Sequence, residues 1–257
     1  MTITEKLRPP LVILFALGAI SLWLHGPIAQ WASYHDFADK RVICSIPNFF
    51  DTVSNFFFLI PGIYLLSNLS SFSLTSRFER LIYTLMGLSL VALFFGSMYY
   101  HLKPDDARLV WDRLPIASFF SLLFLTLLFD LKVLKPSALS HSLSLLYWVL
   151  SSSSVFIWAY TQDLRMYAFA QFFPLVTILV FALVLWFDKS YRAYSLKMLI
   201  LILGYTVAKI AESCDYQILS LSDGNISGHT VKHTIAGIAI LLYFIKEKNS
   251  SPSVEKK

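Results

Sequence analysis

The sequence predicts an all-α, polytopic membrane protein: a seven-transmembrane-helix core with one extra N-terminal transmembrane helix. Three observations carry this. The chain is 56% hydrophobic and only 14% charged, with a mean hydropathy of +0.63. Its apolar residues fall in blocks of about 20, the length that crosses a hydrocarbon core of about 30 Å. Its charges collect in the short links between blocks, whereas a soluble protein spreads them along one face of each helix.

Eight spans follow, at residues 10–28, 49–68, 80–101, 110–131, 141–161, 165–187, 195–214 and 229–246. Lys6 and Arg8 stand before the first block as they would before a signal peptide. That block is long for a signal core and lacks a small-residue cleavage site, so it reads as a span. The second carries the Phe-rich run FFFLIPG, which suits lipid-facing packing, as do the six tryptophans, or the lining of an acyl-chain pocket. The third ends in GSMYYH, and the fourth opens after a turn at Pro104 with WDRLP. The fifth and sixth are plain apolar runs. The seventh ends in AKIAESCDY, and the eighth opens with GHTVKH. No segment alternates polar and apolar residues as a barrel strand would. There is no internal repeat or soluble domain, so residues 1–257 form one transmembrane domain, with the core over about 35–246 and a disordered tail at 247–257.

The formal charge of +5 needs no nucleic-acid partner, because the basic residues sit in links and form no basic stripe with aromatics. With eight spans, both termini share a face with the links after spans two, four and six. That face carries thirteen of the 21 Lys and Arg residues and the opposite links five, while Arg113, Lys209 and Lys232 lie within or at the edge of spans. The positive-inside rule then places both termini in the cytoplasm. A bacterial inner membrane is the expected location.

This topology brings Ser97 and His101 at the end of span three, Asp112 at the start of span four, and His229 and His233 at the start of span eight to one non-cytoplasmic depth. His229 and His233 are four residues apart and share a helix face, so both imidazoles reach one ion at about 2.0–2.1 Å. His101 adds a third, and three imidazoles with an open fourth position describe a catalytic zinc site in which bound water titrates near a pKa of about 7. Asp112 reads as a general base for that water, or as an ion-pair partner of Arg113 or Arg108. Ser97 reads as an oxyanion donor one turn from a ligand, or as a helix serine bonded to its own backbone.

The stretches NFFDTVSNFFFLIPG (48–62), GSMYYH (96–101) with WDRLP (111–115), and GHTVKH (228–233) resemble the alkaline ceramidase family, within the superfamily that also holds the adiponectin-type receptors. The resemblance runs from about His35 to Ile240 and is closest to the bacterial branch. It implies a zinc amidase that cleaves ceramide-like lipids to a sphingoid base and a fatty acid. On that reading His101, His229 and His233 hold Zn2+, Asp112 activates water, Ser97 steadies the oxyanion, and a membrane lipid is the partner, with no obligate protein partner. The family's calcium-binding acidic cluster is altered here. HDFADKRVICSIPN (35–48) keeps Asp36 and Asp39 but sets Lys40 and Arg41 beside them, and calcium prefers six to eight oxygens. A salt-bridge network is therefore expected over a calcium site. Two other classes fit the same residues: a receptor holding structural zinc, and a hydrolase of another lipid amide or ester.

Lys209, Glu212 and Asp215 with Lys232 are further ionisable groups at membrane depth. Lys209 and Glu212 pair by spacing, and Lys232 joins them, either as structural ion pairing or as support for a ligand's imidazole. Cys44 and Cys214 fall on one side, as independent thiols or as a disulfide. His25, His35 and His141 take interfacial or capping roles.

Overall fold

The computed structural model describes residues 2–72, 74 and 76–245. The tail expected at 247–257 lies outside the described residues. The chain forms α1 (Ile3–His25), a 3-10 turn (Ala32–His35), α2 (Phe49–Val53), α3 (Phe56–Ser67), α4 (Arg77–Leu102), α5 (Asp106–Asp130), α6 (Ala138–Thr161), α7 (Arg165–Trp186), α8 (Arg192–Ser213), α9 (Asp215–Leu221) and α10 (Gly228–Phe244). No strand occurs among the described residues. Seven segments are long and apolar enough to cross a membrane, with α2 and α3 counted as one (Phe49–Ser67). The 17-residue α10 is the eighth long helix.

Several helices begin a few residues before their apolar blocks because they open on a polar capping turn. Ser76 and Glu79 form a capping box on α4, Ser137 and Ser140 one on α6, and Asp105 caps α5 by accepting from the Arg108 N–H. Each cap satisfies amides that a helix start leaves unpaired. Span one likewise starts at Ile3, not residue 10, behind the Thr2/Glu5 capping box, and runs through Pro9 and Pro10.

Span two is broken. Asn55 donates its side-chain amide to the Asp51 and Thr52 carbonyls, at 2.9 and 3.1 Å, and so competes with the helical ladder between α2 and α3. The seven-residue α9, just past α8, was absent from the sequence reading, being too short to give a hydropathy signal.

Packing closes a ring in the order α3, α4, α5, α7, α8, α10 and back to α3, with α6 against the outside of α5 and α7. Along its apolar window α5 is 83% buried, which makes it the central helix, whereas α1 is 6% buried and packs on α7 as an addition to the ring. Phe15 of α1 meets Phe169 and Phe173 edge to face, at 5.4 and 5.6 Å between ring centroids. Two glycines set the closest approaches. A Cβ at Gly96 would run into the Trp111 carbonyl, and one at Gly228 into the Ala211 carbonyl. Small residues at such crossings let helix backbones touch, and these two sit where α4 meets α5 and where α8 meets α10. Both crossings adjoin the polar constellation.

Candidate metal centre

His101 comes from the last turn of α4, and His229 and His233 from the first two turns of α10. All three are buried, and each offers a nitrogen within 4.8 Å of the others. Donors bound tetrahedrally at about 2.0–2.1 Å stand about 3.4 Å apart, so small ring rotations would bring the three onto one ion. The chemistry of the donor set fits a metal as well. His101 Nδ1 is buried without a hydrogen-bond partner, a state that costs free energy unless something meets it. His233 bonds Ser54 Oγ through Nδ1 at 2.8 Å, which fixes its ring and leaves Nε2 free.

The imidazoles are walled by aromatics. Phe37, on the segment that follows the 3-10 turn, packs its ring 4.7 Å from His101 and 4.6 Å from His229. Phe58 lies 5.5 Å from His233. The neighbouring segment 35–48 is tied down by the carboxylates the sequence singled out. Asp39, fully buried, accepts from Arg41 Nε at 2.6 Å and from the Phe50 N–H at 3.2 Å, while Arg41 donates onward to the Asn225 carbonyl at 3.0 Å. Asp36 pairs with Lys40 at 2.7 Å, and the Lys40 hydrogen bond, followed by that from Tyr216, holds the Asp36 carboxyl below its usual range. Both acids thus sit in ion pairs. Asp215 accepts from the Ala38 N–H at 2.9 Å with one oxygen and from the His229 N–H at 2.8 Å with the other, joining that segment to the start of α10.

Ser97, one helical turn before His101, stands on the side of α4 that neighbours Asp112 of α5, without a hydrogen bond between them. Among the described residues no ion pair links Asp112 to Arg113 or Arg108, and Arg108 pairs instead with Asp105 at 3.9 Å.

Glu212 binds both Lys209 and Lys232, the latter at 2.6 Å, and Lys232 Nζ stands 3.2 Å from His229 Nε2. The carboxylate reaches the imidazole through Lys232 and does not touch it. Cys44 and Cys214 are free thiols, and the disulfide alternative is not formed. His35 bridges the Tyr100 hydroxyl at 2.9 Å and Asp106 at 3.2 Å, a more specific role than interfacial solvation. His141 stacks on Phe78, with ring centroids 4.0 Å apart.

Sequence reasoning missed several supporting groups. Asp51, fully buried, accepts from Ser227 Oγ at 2.5 Å and Thr230 Oγ1 at 2.8 Å, clamping α2 to the first turn of α10. Asn48 donates to the His101 carbonyl at 2.8 Å. An acid inside an apolar run was the available signal for Asp51. Asn48 and Ser54 lie in the family-like stretch 48–62, but nothing in their residue types marked them as partners of His101 and His233.

Inside the ring lies a cavity of about 380 Å³. Leu93, Phe119, Phe120, Leu201 and Ile240 line its apolar body, and Asp112, Arg113, Lys209, Glu212 and Lys232 gather at its polar end. Through Lys232 and Phe58 that end adjoins the imidazoles. No family model, curated protein or solved structure matches the chain.

Proposed function

We propose that the protein is a zinc-dependent integral-membrane hydrolase of lipid amides, ceramide-like in substrate class. The observation that carries this is a group of three buried imidazoles, with donors within 4.8 Å, beside an apolar cavity whose lining includes Asp112 and Lys232, the latter 3.2 Å from His229. A structural metal needs no lipid-sized cavity beside it, whereas a lipid hydrolase needs both.

His101, His229 and His233 would hold zinc, which when bound supplies Lewis-acid polarisation and an acidified water. Everything else falls to the chain. The cavity's apolar body takes the acyl chain and excludes bulk water, which strengthens the electrostatic contacts made inside. Asp112 takes a proton from the attacking water and returns it to the leaving amine, a role that needs a carboxylate next to the reacting carbon. Ser97 donates to the oxygen on which charge develops. The distribution of Lys and Arg supports cytoplasmic termini with this site at the opposite face, and the altered calcium cluster with the compact chain favours a bacterial inner membrane.

The test is release of free fatty acid from a panel of ceramides and other lipid amides by purified protein, beside Asp112→Asn and His229→Ala, with zinc measured in each. Turnover by the wild type that is lost in both variants, with zinc retained in Asp112→Asn, is the expected result. Bound zinc without turnover of any amide would refute the amidase reading and favour a receptor or another lipid hydrolase.

A further inference from the structure

Arg113 is the ionisable group this mechanism leaves unused. It is 4% exposed, inside a membrane span, and no carboxylate pairs with it among the described residues. Its guanidinium lies 4.2 Å from the centre of the Trp158 ring and 5.0 Å from those of Tyr34 and Tyr167. One nitrogen donates to Gln30 Oε1 at 2.6 Å, while Nε and Nη1 find no acceptor. Three ring faces offset part of the cost of burying a cation, but an unpaired buried charge remains expensive.

The neighbouring charges do not supply its counter-ion. At the cavity's polar end stand three cations, Arg113, Lys209 and Lys232, and two carboxylates, Asp112 and Glu212. Glu212 is taken by both lysines, and no carboxylate oxygen lies within ion-pair distance of Arg113. The group carries one positive charge in excess, and Arg113 is its one cation without an ion pair among the described residues.

We propose that Arg113 seats a carboxylate carried on the amine side of the substrate, so that the lipid amide is an N-acyl amino acid type of amphiphile. This rests on the amidase reading and narrows its substrate class. Gln30 already presents a planar carbonyl oxygen to the guanidinium, a position that one oxygen of a carboxylate reproduces with the missing charge added. A single unpaired cation matches a monoanion better than a phosphate dianion. The fatty acid product is a poorer fit, because its carboxylate forms at Asp112, and consecutive residues of a helix point about 100° apart. Arg113 accordingly turns to Gln30 and Tyr34, on the segment between α1 and α2, while the deep cavity wall is apolar. Head at Arg113, carbonyl at Asp112 and chain along Phe119 and Phe120 is the order that results.

Trp158 and Trp31 flank the cavity's polar end, so stopped-flow tryptophan fluorescence of the full-length protein reads binding before turnover. The probes are N-oleoylglycine, its neutral counterpart N-oleoylethanolamine, and oleate. At least about tenfold tighter binding of N-oleoylglycine than of N-oleoylethanolamine is expected, an increment of the size that one charge-assisted hydrogen bond gives. Arg113→Gln removes the preference and Arg113→Lys keeps part of it. Gln30→Glu retains the buried arginine, gives it an internal counter-ion and also removes the preference, so the inference stays testable if Arg113→Gln misfolds. Equal affinities in the wild type, or a preference that survives Gln30→Glu, would overturn it. So would Arg113-dependent binding of oleate alone. Fatty acid release, followed in parallel, separates the two claims: turnover without preference removes only the carboxylate seat, and preference without turnover of any amide removes only the amidase.

Discussion

Replacing Asp51 with Ala removes the clamp between α2 and the first turn of α10, the turn that carries His229. The side chain is fully buried and its Oδ1 accepts two hydroxyl hydrogen bonds, at 2.5 Å from Ser227 and 2.8 Å from Thr230. The loss of a hydrogen bond that strands a buried partner costs about 1–3 kcal/mol each. Both hydroxyls regain some compensation, because Ser227 Oγ, released from Asp51, can donate to Thr230 Oγ1 at 3.0 Å, and it accepts from the Thr230 N–H at 2.9 Å. The net loss is therefore about 2–4 kcal/mol. For a chain of this size that corresponds to about 4–16 °C in unfolding temperature, measurable by heating the detergent-solubilised protein. Asp51→Asn retains an acceptor oxygen and should lose no more than about half as much. Because Asp51 sits three residues before Ser54, the partner of His233 Nδ1, zinc bound per chain should fall in Asp51→Ala alongside stability. An unfolding temperature within about 2 °C of wild type, with unchanged zinc, would refute the idea that this clamp positions α10.

Three further outcomes follow from the same geometry. Gly96→Ala pushes a Cβ against the Trp111 carbonyl, which costs about 1–3 kcal/mol of overpacking and shifts Asp112 relative to Ser97, so fatty acid release should fall further than zinc content does. Asp163, in the link between α6 and α7, is held at about 2 first by the Arg165 side chain and then by the Ile28 and Arg165 N–H groups. A depressed carboxyl contributes stability that is present above its ordinary value of 3.8 and lost as pH falls toward 2. The wild type's unfolding temperature should therefore drop more steeply over that interval than that of Asp163→Asn. Glu212→Gln strips Lys209 and Lys232 of their shared partner and frees Lys232 to move against His229, so zinc affinity should fall by about tenfold or more in a metal-competition titration. Unchanged affinity would make the triad purely structural.

How far the sequence reached depends on whether a signal was local. The spans were legible because a bilayer demands long apolar runs, and residues 165–187 match α7 to within a residue. Their N-terminal ends were not, because a helix starts at its cap and a hydropathy window starts at its apolar body: α5 begins at Asp106, four residues before residue 110. The His229/His233 pair was legible because helical periodicity alone puts both on one face. The contact of α10 with α2 and α3 was invisible, and it delivers Ser54, at the junction of the two, to His233. Asp112 showed the same limit from the other side. Its neighbours in sequence, Arg113 and Arg108, looked like partners, but Arg113 turns to Gln30 and Arg108, although one helical turn away, pairs with Asp105.

The ionisable groups sort themselves by compensation. Asp39 is satisfied by Arg41 and the Phe50 N–H, Asp215 by the Ala38 and His229 N–H groups, and Glu212 by two lysines. Each of these ties one element to another, so each is accounted for by the fold. A protein-internal account does not extend to His101 Nδ1, to Nε and Nη1 of Arg113 or to Asp51 Oδ2, which are buried and bond to nothing. Polar groups left this way at membrane depth are disfavoured unless a ligand meets them. The uncompensated imidazole belongs to the three-His cluster, and the uncompensated guanidinium stands in the same cavity as Asp112. A metal would draw in the first and an anionic amphiphile the second, and the amide between them would lie at Asp112.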